Sequence, residues 1–338
     1  MADYSQFLAI LHRTERPAYL PLYEHVASSG FIAQRTGTAF DRMSMADPDY
    51  WPIYVDFWYG LGFDVVPMEI SLRCPLPTRA AHSISVESEA KVVFHTMADV
   101  EAYPWPDETD PIDFSHFETV AQLLPEGMKI VAGVCAGPYE WASQMLGTVG
   151  MSYALADEPE MVAAVFARLG ALHTSAVRQL ATMDAVCALR QGDDLGFRTS
   201  TFLAPSLLRQ LVFPTYTAMV AGAHAQDKPF VLHSCGNLNE IYEDLIATGI
   251  DGKHSFEEAI LPVEQFKAKY GTRVTPLGGL DVDIICRGTE AEIRAYTRTK
   301  IETCFADGYW ALGTGNSLTD YMPVANYLLV LDEARRMC

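Results

Sequence analysis

The sequence predicts an α/β fold in which eight parallel strands alternate with helices and close into a (β/α)₈ barrel of the TIM type. Short apolar runs alternate with longer segments of helical periodicity, and eight such runs fit within 338 residues. No G-x-G-x-x-G follows the first run, which disfavours an open, doubly wound sheet. Length alone would allow two domains, but barrels of this size are commonly one, so we treat residues 1–338 as a single domain.

The eight apolar runs have the length of strands, and each ends in polar residues or glycine. They occupy residues 18–23, 64–70, 129–134, 185–190, 229–234, 249–255, 273–279 and 308–313. In a barrel, the carboxyl ends of the strands face the active site. The residues that end or follow these runs are therefore the candidates for chemistry.

Three of the intervening segments carry clear helix signals. Residues 159–183 repeat apolar side chains at helical spacing and begin at Pro159, where a first helical turn tolerates proline. A second helix begins at Pro205 and is interrupted at Pro214. A third ends at Gly249, which acts as a C-terminal cap.

Residues 72–116 interrupt this alternation. They contain the alternating stretch HSISVESEAKVVFH, followed by the turn-rich EAYPWPDETDP. A period of two residues is typical of strands. We therefore expect a strand-rich insertion after the second strand, in the form of a hairpin over the barrel mouth.

Charge and composition narrow the classes of partner. The chain has 24 basic and 43 acidic residues, a formal charge of −19, which disfavours nucleic acid and anionic membrane surfaces. No apolar run reaches the roughly 18 residues of a membrane span, and the charged N-terminus does not have the pattern of a signal peptide. Seven cysteines, an odd number, indicate free thiols in a cytoplasmic protein, of which one or more could bind metal.

His233 and Cys235 form the sharpest chemical signal. They follow Pro229-Phe-Val-Leu at a strand end, and residues two apart on a strand share a face. An imidazole and a thiolate therefore converge, as a Zn²⁺ site requires. A buried cysteine beside a hydrogen-bonded histidine is the alternative.

Carboxylates follow several of the other runs. Asp193 and Asp194 follow AVCALRQG, which contains the fourth run, and since neighbouring strand residues point to opposite sides, only one is expected to face inward. Either could instead be a capping or turn aspartate. The further candidates at strand ends are Glu24 with His25, Glu69, Glu257, Glu258 and Asp281. Each alone could be a surface group, but together they predict an acid-rich mouth where coupled titration or metal ligation can occur.

Several segments resemble the uroporphyrinogen decarboxylase superfamily. They are FVLHSCGNLNEIYEDLIATGIDGKHSFE (230–257), QGDDLGF (191–197), APSLLRQLVFP (204–214), AGPYEWA (136–142), GGLDVD (278–283) and GTGNSLTDYMPVANY (313–327). The resemblance runs over most of the chain and is strongest from about residue 130 onward. It implies a (β/α)₈ barrel, and either a porphyrinogen decarboxylase or a zinc-dependent methyltransferase of a corrinoid system.

Two departures from the family patterns help to decide between a decarboxylase and a methyltransferase. The decarboxylases carry R-Q-A-G-R-Y after the first strand, whereas this chain reads AYLPLYEHVASSG and lacks that arginine pair. The thiol-activating methyltransferases take a second zinc-binding cysteine from the loop after the last strand, where this chain has Thr314. The resemblance then implies a carboxylate as third zinc ligand, in the order Glu257 first, then Asp193 or Asp281.

With fewer thiolates the bound metal would be a stronger Lewis acid, which suits removal of a methyl group from an ether or amine. The resemblance therefore implies a zinc-dependent demethylase that passes methyl to cobalamin on a partner corrinoid protein, because no D-x-H-x-x-G motif is present here. Glu24, His25 or Tyr139 would supply the proton to the leaving group. A homodimer is compatible with the superfamily.

Three alternatives stay open at this point. A carboxy-lyase would use Asp193 or Asp194 to contact a substrate nitrogen. A methylcorrinoid:thiol methyltransferase would run the transfer towards coenzyme M. A non-catalytic relative would bind a corrinoid protein or a small ligand only.

Overall fold

Six parallel strands form the centre of the computed structural model, which describes residues 2–76 and 92–337. The strands are β1 (Val65–Ile70), β2 (Lys129–Val134), β3 (Val186–Gly192), β4 (Phe230–His233), β5 (Gly252–His254) and β6 (Thr275–Leu277). They are hydrogen bonded in chain order, and all five pairs are parallel. The predicted α/β class is thereby confirmed, and each strand lies within a predicted apolar run or extends it by up to two residues.

The first and eighth predicted strands join the sheet through single bridges. Leu22 bridges Leu312, and Ala311 bridges Leu277 of β6, both in the parallel sense. Within the described residues, no hydrogen-bonded ladder joins residues 18–27 to β1, so the continuous ladder has six strands where eight were expected. Pro21 explains part of this difference, since proline has no N–H to donate to a ladder.

Helices follow the strands and cover the sheet. In the described residues they are α1 (Tyr4–His12), α2 (Ser29–Thr36), α3 (Tyr50–Leu61), α4 (Met97–Ala102), α5 (Ser115–Leu123), α6 (Pro138–Leu146), α7 (Thr148–Asp157), α8 (Pro159–Ala181), α9 (Pro205–Leu211), α10 (Phe213–His224), α11 (Tyr242–Ala247), α12 (Val263–Tyr270), α13 (Val282–Arg287), α14 (Glu290–Cys304) and α15 (Val324–Met337), with one 3₁₀ turn at Phe40–Arg42. None of these described helices is both long enough and apolar enough to cross a membrane.

The predicted helix boundaries match local signals. Proline occupies the first turn of α8 and of α9, and the interruption at Pro214 separates α9 from α10. Gly249 follows α11 with a φ of +92°, a conformation that costs glycine little.

The segment expected to form a hairpin is only partly described. Most of the alternating stretch lies within 77–91, outside the described residues. The described part contains α4 and the start of α5, and no strand. It packs on the outer helices, since the amide of Val93 donates to Met145 of α6 and Ser175 of α8 donates to the carbonyl of Glu108.

Apolar side chains form two separate cores. The larger core fills the space between the sheet and the outer helices. The smaller one lies on the inner side of the sheet and joins α1 to the strands; it contains Phe7, Ile10, Leu11, Tyr23, Val65, Val131, Cys187, Ala188, Val231, Leu277 and Ala311. Because side chains two residues apart share a face, the polar residues that follow on the same face, such as His233 after Val231, lie towards the carboxyl ends of the strands.

Candidate metal centre

Three potential metal ligands meet at the carboxyl ends of β3 and β4. The Sγ atom of Cys235 lies 3.5 Å from Nε2 of His233, and Oδ1 of Asp194 lies 3.7 Å from the same Nε2. The three ligand atoms all lie within 4.8 Å of one another. Zn–S and Zn–N bonds at a tetrahedral angle place sulfur and nitrogen about 3.6 Å apart, so this spacing fits one zinc ion.

Two glycine-containing turns bring these ligands together. The amide of Cys235 donates to Oδ1 of Asp194 at 2.8 Å, which links the turn after β4 to the end of β3. Gly236 has a φ of +85° and packs directly on the backbone of Gly196, where a Cβ at either position would meet the other chain segment. The close approach of the two turns therefore depends on both glycines.

Cys235 has further polar neighbours. Ser255 Oγ lies 3.3 Å from its Sγ, and Asn316 Nδ2 donates to it at 3.4 Å. Burial, and then the nearby charge of Asp194, raises the pKa of the thiol to about 12. In the loop where the thiol methyltransferases have a cysteine, Thr314 is buried and its hydroxyl donates to Glu24, so Asn316 is the residue of that loop that reaches Cys235.

A second group of buried histidines adjoins this site. The ring of His25 stacks on that of His233 with centroids 3.9 Å apart, and Nδ1 of His254 lies 2.7 Å from Nδ1 of His233. Burial, followed by the charges around the rings, lowers the pKa of all three, that of His254 to about 3. The three rings therefore stay neutral near pH 7, which is the form that binds metal.

Arg190 is hydrogen bonded to His25. Its guanidinium donates to Nδ1 of His25 at 2.8 Å and to the His25 carbonyl, and it pairs with Glu69 at 3.0 Å. Nε2 of His25 lies 3.9 Å from the same Glu69 carboxylate. Arg190 is buried, so its charge is neutralised inside the protein by Glu69.

Both carboxylate oxygens of Glu24 accept hydrogen bonds from neighbouring chain segments. Its two oxygens accept from the amide and hydroxyl of Thr314 at 2.7 and 2.6 Å, and one also accepts from the Tyr327 hydroxyl at 3.0 Å. Burial raises the pKa of this carboxyl group to about 7. These contacts join the first strand segment to the loop after the last one and to α15.

Asp193 and Asp194 face different surroundings, as the alternation along a strand predicts. Asp193 is buried and accepts from the amides of Tyr139 and Glu140 and from the Tyr216 hydroxyl, at 3.1, 2.9 and 2.7 Å. It therefore caps the N-terminus of α6. Burial raises its pKa to about 7, and burial with the charges of Asp193 and Asp194 raises that of Glu140 to about 8.

The remaining predicted residues lie around this centre. Tyr139 is buried at the start of α6, and its ring stacks on the exposed ring of Phe202 with centroids 5.7 Å apart. Glu257 is exposed and accepts from the amide of Gly236 at 3.2 Å, so it lies outside the three-ligand group. Asp281 caps α13.

Sequence reasoning missed three members of the site. His254 ends β5 and is a detectable signal, since it is the next-to-last residue of a predicted run just as His233 is. Arg190 ends the fourth run, but the sequence gives no sign that its charge is buried under His25. Asp194 is absent from the predicted candidates for the third zinc ligand, because its nearness to Cys235 depends on how two loops fold against each other.

These features define a class: an α/β barrel-type protein whose polar side chains gather at the carboxyl ends of parallel strands. The model of the family Uroporphyrinogen decarboxylase (URO-D) matches residues 33–337, and the chain belongs to this family. The resemblance carried by the sequence motifs is thereby confirmed. No curated protein sequence matches the chain.

One of three similar solved structures, a methyltransferase, shares the fold of this chain. A methyltransferase from Methanosarcina mazei matches with a TM-score of 0.71 at 15% identity, over 98% of both chains. An intracellular xylanase from Thermoanaerobacterium saccharolyticum has a TM-score of 0.41 at 12% identity, covering 94% of this chain and 89% of the xylanase. A β-L-arabinopyranosidase from Geobacillus stearothermophilus has a TM-score of 0.40 at 13% identity, covering 96% of this chain and 78% of its own.

Proposed function

We propose that this protein is a zinc-dependent methyltransferase that takes a methyl group from a small methoxylated or methylated donor and passes it to a corrinoid on a partner protein. The observation that carries the proposal is the cluster of Asp194, His233 and Cys235 at the carboxyl ends of two strands. Its fold is also that of a methyltransferase from Methanosarcina mazei, which supports the reaction class without naming a substrate.

The composition of the ligand set supports the direction of transfer. One thiolate, one imidazole and one carboxylate leave more positive charge on a bound zinc ion than a set with two thiolates does. Zinc held there would act as a Lewis acid on the heteroatom of the donor. In such a transfer the methyl–heteroatom bond would break and a methyl–cobalt bond would form with the electron pair of cob(I)alamin on the partner. The heteroatom would keep the old bonding pair and take up a proton.

His25 is best placed among the predicted proton donors to serve the leaving group. Its ring stacks on that of His233, whereas both oxygens of Glu24 are occupied by Thr314 and Tyr327. As a neutral imidazole, His25 would donate a hydrogen bond to the departing heteroatom. The ring of Tyr139 stacks instead on that of the exposed Phe202.

The charges around the site favour a donor without a negative charge. Asp194 belongs to the ligand group and Glu257 lies beside it, on the turn that carries Cys235. The nearby cations Arg190 and Lys253 are buried and bonded to protein atoms. A carboxylated donor would meet repulsion here. Neutral methoxylated aromatics and methylamines are the donors that fit.

A decarboxylase is the second candidate, since the family name refers to that activity. Its strongest support would be a free aspartate for a substrate nitrogen, but the carboxylate of Asp193 already accepts three hydrogen bonds from α6 and α10. Asp194 is the partly exposed aspartate left for such a role.

The test is to incubate zinc-loaded protein with free cob(I)alamin and a panel of neutral methoxylated aromatics and methylamines, and to follow methylcobalamin by its absorbance. A parallel reaction supplies methylcobalamin and coenzyme M. We expect zinc-dependent methylcobalamin formation with at least one donor. Zinc-dependent formation of methyl-coenzyme M alone would overturn the proposed direction, and release of CO₂ from a porphyrinogen without methyl transfer would favour the decarboxylase.

Two cysteine variants make the assay specific. Cys235→Ala removes the thiolate of the ligand group and should lower bound zinc and activity together. Cys286→Ala removes a partly buried cysteine of α13 outside the group, and should change neither. Equal zinc content in Cys235→Ala and wild type would rule out this metal site.

A further inference from the structure

Two of the three buried histidines, His233 and His254, are hydrogen bonded to each other, and His254 is in turn bonded to a backbone carbonyl. Nε2 of His254 lies 3.1 Å from the carbonyl oxygen of Thr314. A carbonyl oxygen only accepts hydrogen bonds, so the proton of the His254 ring is on Nε2. The ring is fully buried, and no carboxylate contacts it among the described residues, so it is neutral and carries only that one ring proton.

This arrangement determines the proton position on the next ring. Nδ1 of His254 is then an acceptor, and its partner at 2.7 Å is Nδ1 of His233. That contact requires the proton of His233 to be on Nδ1. Nε2 of His233 is consequently unprotonated, and this is the atom 3.5 Å from Cys235 Sγ and 3.7 Å from Asp194 Oδ1.

Arg190 determines the tautomer of the third ring, that of His25. The guanidinium only donates, so Nδ1 of His25 accepts at 2.8 Å and the ring proton of His25 is on Nε2. His25, His233 and His254 also lie close enough together to be considered a metal site of their own. However, the unprotonated nitrogen of His25 already accepts a hydrogen bond from Arg190, and that of His254 accepts one from His233.

We propose that His254 is a positioning residue that holds the His233 ring in the Nδ1-protonated tautomer, so that Nε2 of His233 is the one histidine nitrogen of this cluster available to a metal. The proposal rests on the zinc site of the proposed function. It also decides between the two candidate metal groups in favour of Asp194, His233 and Cys235. Partners that fix the orientation of a ligating histidine typically contribute 10- to 100-fold in metal affinity.

The first test measures ring protonation in metal-free protein by nitrogen-15 NMR of the histidine side chains. In the wild type, we expect His233 protonated on Nδ1, with His254 and His25 protonated on Nε2. His254→Leu should give His233 a mixture of tautomers, whereas His254→Gln should keep the wild-type tautomer. The glutamine side chain can accept from His233 and donate to the Thr314 carbonyl.

The second test measures zinc affinity by competition with a chromophoric chelator. His254→Leu should bind zinc about 10- to 100-fold more weakly than the wild type, and His254→Gln within about threefold of it. His173→Leu is the matched control, because His173 is an equally buried histidine of α8 outside the cluster. It should leave zinc affinity unchanged.

Two results would overturn the proposal: a wild-type His233 protonated on Nε2 in metal-free protein, or an unchanged zinc affinity in folded His254→Leu. The wild-type spectrum decides the question even where a variant does not fold. Failure of the proposed function can be told apart from failure of this proposal. A protein that binds no zinc would refute the metal site, while the nitrogen-15 spectrum would still test the role of His254.

Discussion

Asp194 and Glu257 both contact the turn that carries Cys235, but they do so differently. Asp194 accepts from the Cys235 amide and lies near the His233 ring, whereas Glu257 accepts from the next amide, that of Gly236, and is exposed. The first is placed to share a metal ion with the histidine. The second is placed to hold the turn.

This difference predicts the outcome of two isosteric substitutions. Asp194→Asn should lower zinc affinity by about tenfold or more, since it removes the charge of a ligand while an acceptor for the Cys235 amide remains. Glu257→Gln should change zinc affinity by less than about threefold, because that carboxylate lies outside the group. Chelator competition measures both, and the reverse order would make Glu257 the ligand.

Glu24 makes the stability of the protein depend on pH. Burial raises the pKa of its carboxyl group from 4.5 to about 7, so between these values the folded protein binds more protons than the unfolded chain. Stability from this group therefore falls as the pH rises from about 4.5 to above 7. In Glu24→Gln, which is always neutral, this contribution is absent.

We expect the free energy of unfolding of the wild type, minus that of Glu24→Gln, to fall by about 3 kcal/mol from pH 4 to pH 8. Urea titrations at several pH values measure this difference. The exposed Glu302→Gln serves as the control for a carboxylate on the surface. A difference that rises over this range would contradict the assignment.

At the level of elements, the contact between the turns after β3 and β4 assembles the ligand group. Gly236→Ala should destabilise the protein by about 3 to 5 kcal/mol, because a Cβ at φ +85° is strained and would overlap Gly196. It should also weaken zinc binding, since the link between Cys235 and Asp194 crosses this contact.

Gly37 offers a matched control for that substitution. It has a φ of +68° at the end of α2, but open space surrounds the position of a Cβ. Gly37→Ala should therefore cost only about 1 kcal/mol and leave zinc affinity intact. Equal costs at Gly37 and Gly236 in urea unfolding would show that backbone strain alone matters.

At the level of the whole molecule, α1 completes the inner core below the site. Leu11 is buried among the inward side chains of the strands, and a Cβ at Gly252 of β5 would lie 2.9 Å from its Cδ2. Leu11→Ala should destabilise the protein by about 2 to 5 kcal/mol, because it leaves a cavity among strands that cannot collapse into it. The same substitution at the exposed Leu123 should cost less than about 1 kcal/mol in urea unfolding. A small effect at Leu11 would show that α1 does not seal the inner core.

Much of the architecture could be derived from the sequence because it depends on local rules. Six apolar runs became the six strands, and Pro159 and Pro205 mark the starts of α8 and α9. Period-two alternation also predicts that His233 and Cys235 lie on one side and that Asp193 and Asp194 have different surroundings, as the structure shows. These properties follow from neighbours along the chain.

Only the tertiary structure decided what completes the site. His254 meets His233 because the register of β4 and β5 pairs these two residues, and Gly192 pairs with His233 in the register of β3 and β4. Asp194 reaches the histidine, and Glu24 is taken up by Thr314, through contacts between segments far apart in sequence. Sequence alone determined which residues end the strands. Strand register and loop packing decide which of these residues share a proton or a metal ion. Both are set only when segments far apart in sequence pack against each other.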